Sequence, residues 1–324
     1  MWPENTAFSA KLPALQLYWD STSLGALKKC PRYYELSMVQ GWSTRQRSVD
    51  LDFGIHLHAA RERYYHARAR GESHEQSVDA ALQHALTATW DQTLNRPWQG
   101  NQYKNRFTLA QAIVDYCDKW EHDPLVTVIR HNKAPAVEVS FRFPLGFGPT
   151  MHDEKDSGEE NEEFWLCGHL DRIVEFQGRT WISDLKSTRS ELNERYVKQF
   201  KVNNQFSVYV LAGKIVLGTK AVAGIIVDAC QVLATQPPRF KRVLIERTEA
   251  QLAEFVQGLH VLLAQAEDYA RRSFWPQNER ACFEHGRACE FLEICSRSPS
   301  VREQWLKADF TKRIWDPTQV RGDI

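Results

Sequence analysis

The chain has 324 residues, of which 43% are hydrophobic, and its 41 basic and 41 acidic side chains give a formal net charge of zero. This length suffices for one large domain or two ordinary ones with a buried core. The composition excludes a disordered or collagen-like chain, because glycine and proline are not enriched and charged residues make up 25%. Binding to a polyanion must therefore come from local basic patches rather than from bulk charge.

The longest apolar runs are too short to cross a membrane. Neither residues 221–229 nor residues 261–264 approach the roughly 20 residues that a membrane-spanning helix needs. The N-terminus has no basic start followed by an apolar stretch, so we expect no signal peptide and a cytoplasmic protein. In that compartment the seven cysteines are expected to be reduced thiols or metal ligands rather than disulfides.

Helical patterns come first along the chain. The capping side chains from Asp20 to Ser23 predict a helix that begins near Ser21 and is interrupted by Pro31. Apolar residues that recur three or four positions apart predict three further helices, over residues 54–69, 74–92 and 105–121.

The pattern then changes to the alternation that is typical of strands. Residues 136–143 alternate apolar and polar side chains, and residues 164–176 and 180–187 predict two strands joined by a tight turn at 177–179. The other predicted elements are an exposed acidic loop at 152–163, a helix at 191–217, strands at 221–233 and 239–247, and a helix at 248–272.

This order of elements favours an α/β or α+β fold built around a central mixed β-sheet that is flanked by helices. No internal repeat or clear linker divides the chain, so we expect one elaborated domain over residues 1–324. Its parts are an N-terminal helical elaboration at about 21–122, a core at about 135–272 and a cysteine-rich C-terminal part at 273–324.

The predicted hairpin carries three charged residues. Asp171 lies on its first strand, and alternation places Asp184 and Lys186 on one face of the second strand, with Leu185 on the other. Charges inside an apolar strand are costly to bury unless they bind something. Two acids on adjacent strands suit Mg²⁺ or Mn²⁺, and a nearby lysine can orient water or neutralise charge on a phosphate. Considered alone, the Asp-x-Lys pattern is more typical of a surface hairpin with a weak salt network.

Two further pairs stand four residues apart on predicted helices, so each pair shares a helix face. The His58 imidazole can complete a metal site, although a histidine hydrogen-bonded to Glu62 would show the same spacing. Gln205 and Tyr209 can hydrogen-bond phosphate oxygens or orient the lysine.

Three cysteines cluster near the C-terminus, and a fourth lies far upstream. Cys282, Cys289 and Cys295 fall within 14 residues, and Cys30 precedes the Pro31 break. Such a cluster in a reducing compartment predicts a metal site, and four thiolates would suit either zinc or an iron–sulfur cluster. The remaining cysteines occupy apolar positions and are predicted to be core residues, namely Cys117, Cys167 and Cys230.

Taken in order, these motifs resemble the PD-(D/E)XK nuclease superfamily. The resemblance is greatest to its RecB-like branch with an iron–sulfur cluster, which includes the CRISPR adaptation nucleases and the nuclease domain of the AddB recombination subunit. It spans residues 21–295 and implies a restriction-endonuclease-like core. The matching motifs are Cys30-Pro31-Arg32-Tyr33-Tyr34, Gly54 to His58 with Glu62, Gly168-His169-Leu170-Asp171-Arg172, Asp184-Leu185-Lys186, Gln205 to Tyr209, and the three late cysteines.

The resemblance implies a catalytic centre. His58, Asp171, Asp184 and the backbone carbonyl of Leu185 would bind the catalytic Mg²⁺ or Mn²⁺ ion. Lys186 would assist the attacking water.

The resemblance also implies a path for DNA, which Gln205 and Tyr209 would line. We add Arg32 as a DNA-binding residue. Glu138 and Glu62 are weaker candidates for the site around the metal. Other basic residues that could hold the DNA backbone are Lys28, Lys29, Arg61, Arg63, Arg68, Arg70, Arg239, Lys241 and Arg242.

The same resemblance implies that Cys30, Cys282, Cys289 and Cys295 bind a [4Fe–4S] cluster, which would join the first helix to the end of the chain. One spacing departs from the branch, whose first two late cysteines stand only a few residues apart. Here Cys289 follows Cys282 by seven positions, so zinc or an incomplete cluster remains an alternative.

The expected function is that of a metal-dependent DNA nuclease, specifically an exonuclease on single-stranded ends. It would work in recombination, repair or phage DNA processing, with a recombination or repair protein as a partner. Two alternatives come from other classes of protein. One is a non-catalytic DNA-binding scaffold in a recombination or repair complex, and the other is a cluster-based redox protein.

Overall fold

The computed structural model describes residues 7–45, 48–130, 132–149, 162–218, 222–284 and 286–319. Most of the predicted acidic loop, residues 152–161, lies outside the described residues. None of the helices within these ranges combines the length and the apolar character that a membrane crossing requires.

The helices include those predicted near Ser21 and over residues 54–69, 74–92, 105–121 and 248–272, with ends displaced by at most about five residues, and several that the sequence did not predict. In chain order they are α1 (Ser21–Lys29), α2 (Pro31–Tyr34), a π-helix (Glu35–Val39), α3 (Val49–Ala69), α4 (His74–Ala88), α5 (Arg106–Lys119), α6 (Glu194–Lys198), α7 (Asn204–Leu217), α8 (Glu249–Arg271), a 3₁₀ turn (Glu279–Cys282), α9 (Leu292–Cys295) and α10 (Pro299–Asp309).

The strands include the five that were predicted, at 136–143, 164–176, 180–187, 221–233 and 239–247, and several short ones that were not. In chain order they are β1 (Tyr18–Trp19), β2 (Trp42–Thr44), β3 (Trp90–Asp91), β4 (Arg96–Pro97), β5 (Val126–Thr127), β6 (Val137–Pro144), β7 (Trp165–Phe176), β8 (Arg179–Thr188), β9 (Val222–Gln231), β10 (Arg239–Glu246), β11 (Phe283–Glu284), β12 (Arg287–Ala288) and β13 (Phe310–Lys312).

One predicted helix is wrong in its extent. The segment expected as a single helix over residues 191–217 forms α6 and α7, with a break between them. Two asparagines cause the separate starts, because the side chain of Asn193 accepts a hydrogen bond from the Tyr196 backbone and that of Asn203 accepts one from the Gln205 backbone. Short amide side chains that cap a helix compete with a continuous backbone ladder.

The packing of the chain divides it into two compact units. The first unit comprises Met1–Gln46, Phe141–Gly168 and Ala250–Ile324, and the second comprises Arg47–Ser140 and His169–Glu249. The single domain expected over the whole chain stays a prediction.

The second unit contains most of the central mixed sheet, in which strands follow the order β7-β8-β9-β10. Strands β8 and β9 are parallel, whereas the β7–β8 and β9–β10 pairs are antiparallel. Helices lie on both faces, because Leu185 of β8 packs with α3, α4 and α5, and Ile182 of the same strand contacts Gly213 of α7. These two positions differ by an odd number, so their side chains point to opposite faces. The predicted sheet flanked by helices is therefore confirmed.

The turn between β7 and β8 explains how the hairpin keeps its register. Gln177 and Gly178 form the two-residue connection, with φ angles of 51° and 70°. Positive φ at both central residues is what a type I′ turn requires, and this turn matches the twist of antiparallel strands.

The first unit has its own apolar core around the cysteine-rich segment. Leu36, Trp42, Phe291, Ile294 and Leu306 are buried together. Strand β2 pairs with β13, and β1 pairs with the start of β7. The cysteines predicted to be core residues are buried, as expected: Cys117, Cys167 and Cys230.

Candidate metal centre and active site

The hairpin has an acid on each strand just beyond the end of its paired register. The paired residues of β7 and β8 end with Arg172 opposite Ser183, so the next positions on the two strands are Asp171 and Asp184. The Asp171 side chain binds the backbone of β8, because its Oδ2 accepts a hydrogen bond of 2.9 Å from the Leu185 N–H. Both acids are buried, with 7% and 1% of their surfaces exposed.

Helix α3 brings His58 to this point. Its Nε2 lies 2.9 Å from the Leu185 carbonyl oxygen, and its Nδ1 lies 3.1 Å from Asp171 Oδ2. The imidazole therefore touches two of the groups predicted to bind the metal. Glu62, one turn further along α3, has a carboxylate oxygen 4.0 Å from the ring of His66.

Glu138 contributes a third ligand atom to the same place. One ligand atom each from His58, Glu138 and Asp171 lie within 4.8 Å of one another, which makes this a candidate site for a metal ion. Glu138 has a φ angle of 48°, a left-handed conformation that is unusual for a residue other than glycine. Such backbone strain is concentrated at functional sites, where the surrounding structure holds it in place.

A chain of hydrogen bonds holds the lysine. Lys186 Nζ lies 3.1 Å and 2.9 Å from the two carboxylate oxygens of Asp184 and donates to Gln205 Oε1 at 3.0 Å. Gln205 in turn donates from Nε2 to the Tyr209 hydroxyl at 2.9 Å. Tyr209 is 8% exposed, so most of its side chain is buried. Gln205 of α7 is thus hydrogen-bonded to the lysine, and the role of this pair in orienting the lysine or lining a DNA path stays a prediction.

Burial and charge act against each other in this site. Burial alone would raise the pKa of Asp171, but the charge and hydrogen bond of His58, together with Arg61 and Lys186, lower it well below its usual range. Burial raises the pKa of Asp184, and the charge of Lys186 only partly offsets that rise. Burial and the charge of Asp171 raise the pKa of Glu138 to about 7.

The donor set fits a hard divalent cation. Carboxylates, a backbone carbonyl and one imidazole suit Mg²⁺ and still better Mn²⁺, which accepts nitrogen ligands more readily. The fit rests on the geometry of His58, which already contacts Asp171 and the Leu185 carbonyl and would ligate the ion through a nitrogen that carries no proton.

The affinity of the site for Mn²⁺ should rise with pH. Burial lowers the pKa of His58, but the charge and hydrogen bond of Asp171 outweigh it, so the net shift is upward from 6.5, and the pKa of Glu138 is about 7. At low pH each group holds a proton that a metal must displace, and this competition is lost as the pH rises. We expect a gain of about tenfold per pH unit between about pH 6 and about pH 7 for each proton displaced, measured by titration calorimetry. An affinity that stays constant across that interval would contradict this assignment.

The structure changes the interpretation of several basic residues. Arg61 and Arg242 were predicted to hold the DNA backbone, but both side chains are buried among acids of the second unit, with exposures of 4% and 10%. That prediction is therefore wrong for these two. Arg32 lies in the first unit, where its Nε donates to the Trp275 carbonyl at 2.9 Å and lies 3.2 Å from a carboxylate oxygen of Glu35. Its contact with DNA stays a prediction.

The four cysteines of the predicted cluster lie in the first unit and are half-buried. The Asn278 backbone links two of them, because its N–H donates to Cys30 Sγ at 3.3 Å and its carbonyl lies 3.9 Å from Cys282 Sγ. The Cys289 N–H donates to the Cys282 carbonyl at 2.8 Å. Burial raises the pKa of Cys295, and the charges of Arg32 and Arg302 offset only part of that rise.

Comparison with known proteins shows the family to which the chain belongs. The model of the PD-(D/E)XK nuclease superfamily matches residues 21–296, so the chain belongs to that superfamily. None of the curated proteins matches this chain.

Two solved structures show weak similarity. A crystal structure of an exonuclease candidate from Eubacterium rectale has 13% identity and a TM-score of 0.46, covering 90% of this chain and 92% of its own. The structure of SSO0001 has 13% identity and a TM-score of 0.24, covering 39% of this chain and 49% of its own. Both TM-scores lie below 0.5, so neither similarity bears on function.

Proposed function

We propose that this protein is a metal-dependent DNA nuclease that hydrolyses phosphodiester bonds. The observation that carries the proposal is the convergence of His58, Asp171 and the Leu185 carbonyl within hydrogen-bonding distance of one another, beside Glu138. Asp184 lies one position beyond the paired register of the same hairpin and supplies a second buried carboxylate. Membership of the superfamily supports the same assignment.

The bound Mg²⁺ or Mn²⁺ ion would supply a Lewis acid for the scissile phosphate and lower the pKa of a bound water. The chain supplies the positioning. Lys186 presents an ammonium group that Asp184 and Gln205 hold, so it can donate to the attacking water and stabilise negative charge on the phosphate. Gln205 is itself held by Tyr209, and this fixes the direction of the lysine.

The substrate is proposed to be single-stranded DNA with a free end, and the setting to be recombination, repair or phage DNA processing in the cytoplasm, with a protein partner. Resemblance to the RecB-like branch supports this choice. A net charge of zero is consistent with a substrate that is held locally along a path rather than coated by bulk charge.

Cys30, Cys282, Cys289 and Cys295 are proposed to bind a [4Fe–4S] cluster, with zinc as the alternative. The Asn278 backbone contacts Cys30 and Cys282, and all four cysteines belong to one compact unit, which supports a shared metal group. Four thiolates are the ligand set of both a [4Fe–4S] cluster and a structural zinc.

Digestion of single-stranded DNA tests the function directly. The protein, purified without oxygen, is incubated with Mn²⁺ and either a linear strand labelled at one end or a closed single-stranded circle. We expect the linear strand to be degraded to a ladder and the circle to survive, because an exonuclease needs an end.

Three results would change the assignment. Cleavage of the circle would mean an endonuclease. Binding of DNA that survives chelation of the metal, with no cleavage in any divalent ion, would favour a scaffold. Cleavage that continues in the presence of a chelator would contradict the metal dependence.

A further inference from the structure

Arg61 lies one turn after His58 on α3, and it reaches two buried acids. Its NH2 lies 3.0 Å from Asp171 Oδ2, and its NH1 lies 3.9 Å from Asp228 Oδ2. The first contact is a hydrogen bond, and the second is an ion pair without one. A buried guanidinium with an acid at each end is poorly placed to meet DNA and well placed to fix a carboxylate.

The contacts of Asp171 converge on one of its two oxygens. Oδ2 meets Arg61 at 3.0 Å, the Leu185 N–H at 2.9 Å and His58 at 3.1 Å. Across the described ranges of the chain, Oδ1 makes no hydrogen bond. The carboxylate therefore has one oxygen held by the protein and one oxygen available to a metal.

The far end of Arg61 is anchored in turn. Asp228 is completely buried, and its Oδ2 accepts a hydrogen bond of 2.6 Å from the Tyr116 hydroxyl and lies 3.2 Å from Arg242 NH2. Arg242 also binds both oxygens of Asp123, at 2.5 Å and 3.1 Å. Arg61 is therefore held by a network of fixed charges and does not depend on the presence of a metal.

We propose that Arg61 is a positioning residue that holds Asp171 as a one-oxygen ligand of the catalytic metal. This inference rests on the proposed function, because it takes Asp171 as a metal ligand. Arg61 also balances the Asp171 charge when no ion is bound, so the site keeps its shape and a metal binds without rearranging the carboxylate. Preorganisation of this kind raises affinity by lowering the cost of ordering.

Two effects of removing Arg61 oppose each other. Loss of a cation near the ion would strengthen metal binding, whereas loss of positioning would weaken it. The positive charge of Arg61 faces Asp228 as well as Asp171, so much of it is already balanced. We therefore expect positioning to prevail, with a loss of about tenfold to a hundredfold in Mn²⁺ affinity, as is typical when a partner of a metal ligand is removed.

The test compares Arg61→Met with Arg242→Met. Each variant removes one arginine from Asp228, and Arg242→Met also removes two hydrogen bonds to Asp123. Of these two arginines, only Arg61 touches Asp171 within the described residues. Mn²⁺ affinity is measured by calorimetry on metal-free protein without DNA. The expected result is the loss stated above for Arg61→Met and no more than about a threefold change for Arg242→Met. Equal losses in both variants, or unchanged or tighter binding by Arg61→Met, would overturn the proposal.

Two further variants keep the test decisive if Arg61→Met fails to fold. Asp228→Asn removes the buried acid that faces Arg61. The double variant with Arg61→Met is then compared with Asp228→Asn alone, and the same loss of Mn²⁺ affinity is expected. Arg61→Lys keeps the charge but cannot reach both acids from a single nitrogen, so it should not restore the affinity, and full restoration would overturn the positioning role. The readout is Mn²⁺ binding, so this inference and the proposed function can fail separately. If the wild type cleaves DNA but the variants do not differ in Mn²⁺ affinity, only this inference is refuted. If the variants differ as expected but the wild type does not cleave DNA, only the proposed function is refuted.

Discussion

Asp184→Asn should abolish Mn²⁺-dependent cleavage of DNA, with a fall in rate of at least about a thousandfold, or about 4 kcal/mol of transition-state stabilisation. The substitution keeps the size of the side chain but removes a buried charge that pairs with Lys186. Lys186→Met should give a similar loss, because it removes the only ammonium group held by Asp184 and Gln205 within the described part of the chain. The rate of release of labelled nucleotides measures both effects.

The matched control is Asp118→Asn, the same chemical change at an acid that is 60% exposed and pairs with His74. It should leave cleavage within about twofold of wild type, since surface pairs contribute little. Circular dichroism and thermal unfolding establish that each variant is folded. Folded Asp184→Asn and Lys186→Met proteins that both retain cleavage within about tenfold of wild type would remove these residues from the active site.

Cys295→Ser should release the proposed [4Fe–4S] cluster and destabilise the first unit. The cluster would join Cys30 to cysteines more than 250 residues later in the chain, so it would restrain a very long loop in the unfolded state. By analogy with a disulfide that closes a long loop, we expect a loss of about 4 kcal/mol or more. Iron and acid-labile sulfide are counted per chain, and the denaturation midpoint reports stability.

Cys117→Ala is the control for this change, because Cys117 is buried in the core of the second unit. It should retain all the iron and lose only about 1 kcal/mol through the small cavity that it leaves. If the wild-type protein contains zinc and no sulfide, the cysteines bind zinc rather than a [4Fe–4S] cluster. Wild-type protein that holds neither metal would end the proposal of a shared site at these cysteines.

The parts of the site that were predictable from sequence depend on local patterns. Alternation along β8 placed Asp184 and Lys186 on one face and Leu185 on the other, and the contacts of Lys186 and the burial of Leu185 agree with this. The spacing of Gln205 and Tyr209 predicted a shared helix face, and the two side chains are hydrogen-bonded. Both rules need only the period of one element.

The missed features depend on the tertiary structure. Arg61 resembled a member of a surface basic run, because helical periodicity does not report which acids from distant strands will surround a side chain. Its distance of three positions from His58 was the available signal, since that spacing places both on one helix face. Glu138 was only a weak candidate because its left-handed backbone, which departs from a regular strand, has no marker in an alternating sequence.

The short turn between β7 and β8 also has a consequence for the order of folding. Asp171 and Leu185 are 14 positions apart, whereas His58 and Leu185 are 127 positions apart. Closing the longer loop costs about 2 kcal/mol more in chain entropy, and a hairpin can form within about 10 microseconds. We therefore expect the hairpin to bring Asp171 and Asp184 together early, and His58 to arrive only when α3 docks. During synthesis and refolding, the nascent hairpin would thus bind divalent ions weakly, and tight binding would begin only at the last assembly step.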